Sequence, residues 1–144
     1  MLAPKQYTWY LAGRMSGVPQ FNFPMFDRVA RLLRADDYTV FSPAELDRPE
    51  IRTAALASPD GVPNERASGG ETWADFLARD VKLIADKVQG IIALPGWEHS
   101  NGARLEVFVG LLSKKEFAVW DENGGYPKYV SRDVMRQQLK ENMP

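Results

Sequence analysis

The sequence predicts an α/β protein: a single-domain, doubly wound, mostly parallel sheet of four to five strands, flavodoxin- or Rossmann-like, with helices on both faces. Three observations predict it. Short runs rich in aromatic and β-branched residues alternate with longer segments of helical periodicity. Glycine- or proline-containing breaks follow the strand-like runs at Gly13 and at Pro95-Gly96. The length, 144 residues, points to one domain with one core.

The elements follow in order. Residues 6–12 (QYTWYLA) read as a buried strand entering a loop of Gly13, Arg14, Met15, Ser16 and Gly17. Pro24 suits the first turn of a helix, and Phe26, Val29, Ala30 and Leu33 recur at its spacing. Residues 38–41 (YTVF) give a second strand. Prolines 43, 49, 59 and 63 and glycines 61, 69 and 70 then interrupt residues 42–70. We read that stretch as a long loop or lid holding one short helix near 51–57, the alternative being a plain surface insertion. A helix over about 72–87, a buried strand at 90–94 (GIIAL), an apolar helix over 102–112, a strand at 117–120 (FAVW) and a helix over 130–140 complete the chain. In such a sheet, ligands bind outside the carboxyl ends of the strands where their order reverses. That places the 13–17 and 95–102 loops on one edge.

Composition excludes several classes. The 18 basic and 19 acidic residues give no cationic face for nucleic acid. There is no cysteine and a single histidine, His99, so thiolate and multi-histidine metal sites are ruled out. No run is apolar and long enough to span a bilayer, and the first residues lack the features of a signal peptide, so the expected setting is cytoplasmic.

Two carboxylates stand in apolar surroundings. In the 72–87 helix, Trp73, Phe76, Leu77, Ile84 and Val88 form a stripe with Val81 beside it, and Asp80 falls within that arc. Such a group must be paired, hydrogen-bonded or facing a cavity. A hydrogen bond at a helix edge is the plain alternative. Glu106 lies in a helix apolar nearly all round, which should be mostly buried. Gly110, one turn on, leaves room beside that carboxylate. A structural ion pair with Arg14 or Arg104 is the alternative. Two inward carboxylates near strand ends suit acid–base or nucleophilic work on a glycosidic bond, or equally Mg²⁺.

The 13–17 loop has the makings of an anion site, with backbone amides, a hydroxyl and a guanidinium, but matches neither the dinucleotide nor the Walker fingerprint. Ser100 or Asn101 suits the N-cap of the Glu106 helix, whose uncovered N-terminus would attract a phosphate.

Three stretches, Tyr10-Leu11-Ala12-Gly13-Arg14-Met15-Ser16-Gly17, Arg79-Asp80-Val81, and Ser100-Asn101-Gly102-Ala103-Arg104-Leu105-Glu106, resemble, in order and approximate spacing, the nucleoside 2-deoxyribosyltransferase-like superfamily. The likeness is closer to its 2'-deoxynucleoside 5'-monophosphate N-glycosidase branch and covers roughly residues 7–120. It implies that Glu106 attacks the anomeric carbon, that Tyr10 orients Glu106, and that Asp80 contacts the sugar or protonates the leaving base. It also implies that Gly13, Arg14, Met15, Ser16, Gly17, Ser100 and Gly102 hold a 5'-phosphate. Phe21, Asn22 and Trp97 are candidates for base and sugar contacts, and Asn123 for a residue completing a neighbour's site. The implied activity is hydrolysis of (deoxy)nucleoside 5'-monophosphates. The alternatives are base exchange by a deoxyribosyltransferase and a non-catalytic nucleotide sensor; a Mg²⁺-dependent phosphotransferase fits less well. The glycosidase chemistry needs no metal or cofactor. The implied partners are a small-molecule nucleotide or nucleoside and a second copy of the chain in a homodimer or larger homo-oligomer, with no nucleic acid and no membrane.

Overall fold

In the computed structural model, residues 1–63 and 70–144 are described. Five strands form one sheet: β1 (Thr8–Ala12), β2 (Thr39–Phe41), β3 (Gly90–Ala93), β4 (Glu116–Asp121) and β5 (Tyr126–Val130), in the order β2-β1-β3-β4-β5. All pairings are parallel except β4 with β5. The fold is therefore the mostly parallel α/β sheet that the alternation predicts.

The fifth strand is absent from the sequence reading, which runs a helix from residue 130. Asp121 Oδ1 accepts the amides of Asn123 and Gly124, and Gly125 takes a positive φ of 67°, so the chain reverses into an antiparallel edge strand. Pro127 is tolerated there because an edge strand need not donate on both sides.

The helices are α1 (Phe23–Ala35), α2 (Pro49–Leu56), α3 (Trp73–Lys87), α4 (Asn101–Leu112) and α5 (Arg132–Glu141). One face of the sheet packs against α1 and α2, where Trp9, Leu11, Phe26, Val29, Leu33 and Ala55 share a core. The other packs against α3, α4 and α5 around Tyr10, Ile84, Ile91, Val107, Phe117 and Met135. Chain direction switches faces between β1 and β3, so the crevice of a doubly wound sheet opens at their carboxyl ends. Among the described residues no helix is long and apolar enough to cross a membrane.

Two helical expectations change. The outer side of α4 is exposed, Phe108 at 47% and Leu112 at 68%, because the helix lies on the sheet between α3 and α5 with its far side uncovered. Gly110 does not make room for Glu106. A Cβ there would meet Ile91 Cδ1 at 2.6 Å, so glycine lets α4 sit close on β3.

Part of the expected 42–70 loop is ordered structure: a 3-10 turn at Pro43–Glu45, then α2. Residues 64–69 of that stretch lie outside the described residues. The end of α2 is tied to the first loop by bonds from Gln20 N to Ser58 O (2.8 Å), Gln20 Nε2 to Leu56 O (3.0 Å) and Gly17 N to Gly61 O (2.9 Å).

Candidate active site

Local sequence places each wall. Ser100 caps α4, its Oγ accepting the Ala103 amide at 3.2 Å, and so starts the helix at the end of the β3 loop. Glu106 then falls one and a half turns along, on the side facing β1. Thr72 and Asp75 form a reciprocal capping box that starts α3, which brings Asp80 to the same place from the side.

Between them lies a cavity of about 650 Å³, the size of a small-molecule site. Gly13, Arg14, Met15 and Ser16 border it from β1, and Ser100, Gly102 and Glu106 from α4. Asp80 and Arg79 come from α3, and Asp47 from the loop before α2. Much of the remaining wall is apolar, including Phe21, Ile51, Ala55, Trp73 and Phe76, with Glu71, His99 and Asn101 adding polar groups.

Glu106 is 6% exposed and Asp80 7%. The Tyr10 hydroxyl, itself fully buried, donates a short hydrogen bond to Glu106 Oε2. Burial pushes the Glu106 carboxyl well above the usual carboxylate range. The Asp80 charge adds to that rise, while the Tyr10 bond and Arg79 oppose it. Burial also raises Asp80, against the pull of Arg79, whose Nε donates to Asp80 Oδ1 at 2.9 Å. Burial works against the Arg79 charge as well, but its bonds to Asp47 and Asp80 hold it firmly protonated. Tyr10 is driven well above its ordinary value, first by burial and then by the two carboxylates, so it remains a donor. Among the described residues, no group of three or more His, Asp or Glu side chains is arranged to hold a metal ion.

The structure brings together most of the residues singled out from sequence and separates three. Trp97 is 3% exposed and packs in the α3–α5 core, so it does not reach the cavity. A tryptophan on the ligand-edge loop is drawn inward because its large apolar surface fills the gap between the sheet and α4. Asn22 bonds Arg14 O at 2.8 Å and serves the loop, not the cavity wall. Gly17 directs its amide to Gly61 O and lies outside the lining. Phe21 does line the cavity, within three consecutive left-handed residues, Gln20, Phe21 and Asn22 (φ 57°, 52° and 62°). Such strain persists only where surrounding bonds enforce it, and it concentrates at functional sites. Arg104 is spent on backbone carbonyls of Glu98 and Asn142, so it is no partner for Glu106.

Asp47, Trp73 and Phe76 were missed as site residues. The two aromatics sit in the apolar stripe of α3, and periodicity identifies the inward side of a helix without telling core from cavity. Trp73 is 55% exposed and Phe76 half-buried, so the first half of that stripe lines the cavity.

Residues 7–118, more than half of the chain, match a family described as "Domain of unknown function (DUF4406)", and the chain belongs to it. No curated protein matches the chain.

Proposed function

We propose that this protein is an N-glycosidase that cleaves the base–sugar bond of nucleoside 5'-monophosphates through a glycosyl-enzyme on Glu106. One observation carries the reading: a buried carboxylate with a phenol as its donor, opposite a second buried carboxylate, at the switch point of a doubly wound sheet. The ordered likeness to the deoxyribosyltransferase-like superfamily supports the same assignment.

In this mechanism a Glu106 oxygen bonds to the anomeric carbon as the carbon–nitrogen bond to the base breaks. The bonding pair leaves with the base nitrogen, which takes its proton from Asp80. Water then attacks the anomeric carbon, gives a proton to Asp80 and releases the sugar phosphate, restoring the Glu106 carboxylate. The pair works with one proton between them and titrates as a unit. Burial favours that proton on Glu106, so the reactive arrangement, with the proton on Asp80 and the charge on Glu106, is the less populated one. Burial makes an ionised Glu106 poorly solvated and therefore reactive, and Tyr10 supports its charge. The exposed Arg14, with Ser16 and the start of α4 near Ser100 and Gly102, faces the phosphate. Phe21, Trp73 and Phe76 supply flat apolar surface for the base.

The test is a panel of deoxy- and ribonucleoside monophosphates, with released base measured by chromatography for wild type and Glu106→Ala. Release by wild type alone is the expected outcome. Release by neither protein from any member would overturn the proposal, and transfer of the sugar to an added free base would reassign it to base exchange.

A further inference from the structure

Arg79 has a second carboxylate partner that no sequence motif announced. Its Nη1 donates to Asp47 Oδ1 at 2.6 Å while its Nε donates to Asp80 Oδ1 at 2.9 Å. The guanidinium lies 5.5 Å from the Phe76 ring centre, a third constraint on its orientation. The Asp47 side chain is 9% exposed and that of Arg79 32%, so the contact is largely shielded from water. Asp47 and α2 belong to one segment of chain, and α2 gives Ile51 and Ala55 to the wall of the same cavity.

A buried carboxylate on a helix can rotate about its side chain. An arginine one residue away restrains it only if the arginine is itself fixed. Asp47 provides that fixing from another element, and two bonds to one planar fork define its plane. We propose that Asp47 is a positioning residue: by holding the far end of Arg79 it sets the Asp80 carboxylate in front of the Tyr10–Glu106 pair and links it to the α2 wall.

Charge works in the same direction. Asp80 faces Arg79 on its own helix, Tyr10 from β1, Asp47 from the loop before α2, and Glu106 from α4. Arg79 alone would draw the proton off Asp80. Burial is the main force raising Asp80, and the Asp47 charge adds to it by offsetting part of the Arg79 pull, which favours the proton that the leaving base needs.

The inference rests on the glycosidase reading for its kinetic readout and on titration for an independent one. Asp47→Asn keeps an oxygen for Arg79 and removes the charge, whereas Asp47→Ala removes both. With a nucleoside monophosphate cleaved by wild type, Asp47→Ala is expected to lose roughly 10- to 100-fold in kcat with KM within threefold. Asp47→Asn should recover part of that loss and shift the alkaline limb of the pH profile to lower pH. The titration of Asp80, followed by carboxyl carbon NMR and assigned with Asp80→Asn, should move to lower pH in Asp47→Asn. Unchanged kcat in Asp47→Ala, or an unmoved Asp80 titration in Asp47→Asn, would overturn the proposal. If wild type cleaves no nucleotide, the glycosidase reading fails, and the Asp80 titration alone decides for or against the clamp.

Discussion

Asp80 and Glu106 are buried to nearly the same degree, 7% and 6% exposed, yet their helices treat them differently. On α3 the carboxylate has a guanidinium at 2.9 Å, which is held in turn by Asp47. On α4 no cation among the described residues bonds the carboxylate; its partner is the Tyr10 phenol. Burial raises both groups, but Asp80 bonds a guanidinium directly whereas Glu106 bonds a phenol and feels Arg79 only through space, so Glu106 stands further above the usual range. Paired acids whose environments differ in this way divide the acid and nucleophile roles between them. In the proposed mechanism the shared proton moves to the cation-paired Asp80 as Glu106 attacks, so the reactive form is the less populated protonation state of the pair.

Erasing one side of that comparison should have the largest effect. Glu106→Gln removes the nucleophile and is expected to lower kcat by on the order of 10⁴-fold or more, read from base release. Asp80→Asn leaves the nucleophile but removes the proton carrier, and should cost about 10²- to 10⁴-fold. The loss should be smaller for a substrate whose base leaves without protonation. Trp73→Ala touches neither carboxylate. It should raise KM roughly 5- to 100-fold through lost stacking, with recovery in Trp73→Phe.

The pH profile sharpens the comparison further. Activity requires an ionised Glu106, so the acid limb of kcat/KM should lie above the ordinary carboxylate range. Tyr10→Phe removes a bond to the charged form and should move that limb to still higher pH. The smallest effect is on stability. Glu106 has its folded pKa raised above the unfolded value, so its favourable contribution is fully present below the unfolded value and is lost as pH rises through the folded one. Glu106→Gln should therefore melt a few degrees above wild type at neutral pH, with the gap closing toward pH 4. A melting difference independent of pH would contradict the assignment of burial as the cause.

The two carboxylates also differ in how far a sequence reveals them. Glu106 is legible because its signal is local, a charge in an apolar run that the helix must bury. Asp80 is legible because helical period alone sets it within the stripe of Ile84 and Leu77. Asp47 is not, since its meaning depends on Arg79, 32 positions away in the chain and joined to it only by folding. Trp97 misleads for the opposite reason: its loop lies at the ligand edge, but loop position does not say which way an indole turns. The sheet follows the same rule. Strands β1, β3 and β4 carry enough apolar and β-branched residues to declare themselves, whereas β5, with Pro127 and Lys128, is made a strand by its pairing with β4.

The central claim is that Glu106 becomes covalently attached to the sugar. Acid-quenching wild type during turnover of a nucleoside monophosphate and mapping the adduct by peptide mass spectrometry tests it directly. The account predicts a sugar-phosphate mass on the peptide carrying Glu106, absent from Glu106→Gln. An adduct on another residue, or base release undiminished in Glu106→Gln, would contradict it.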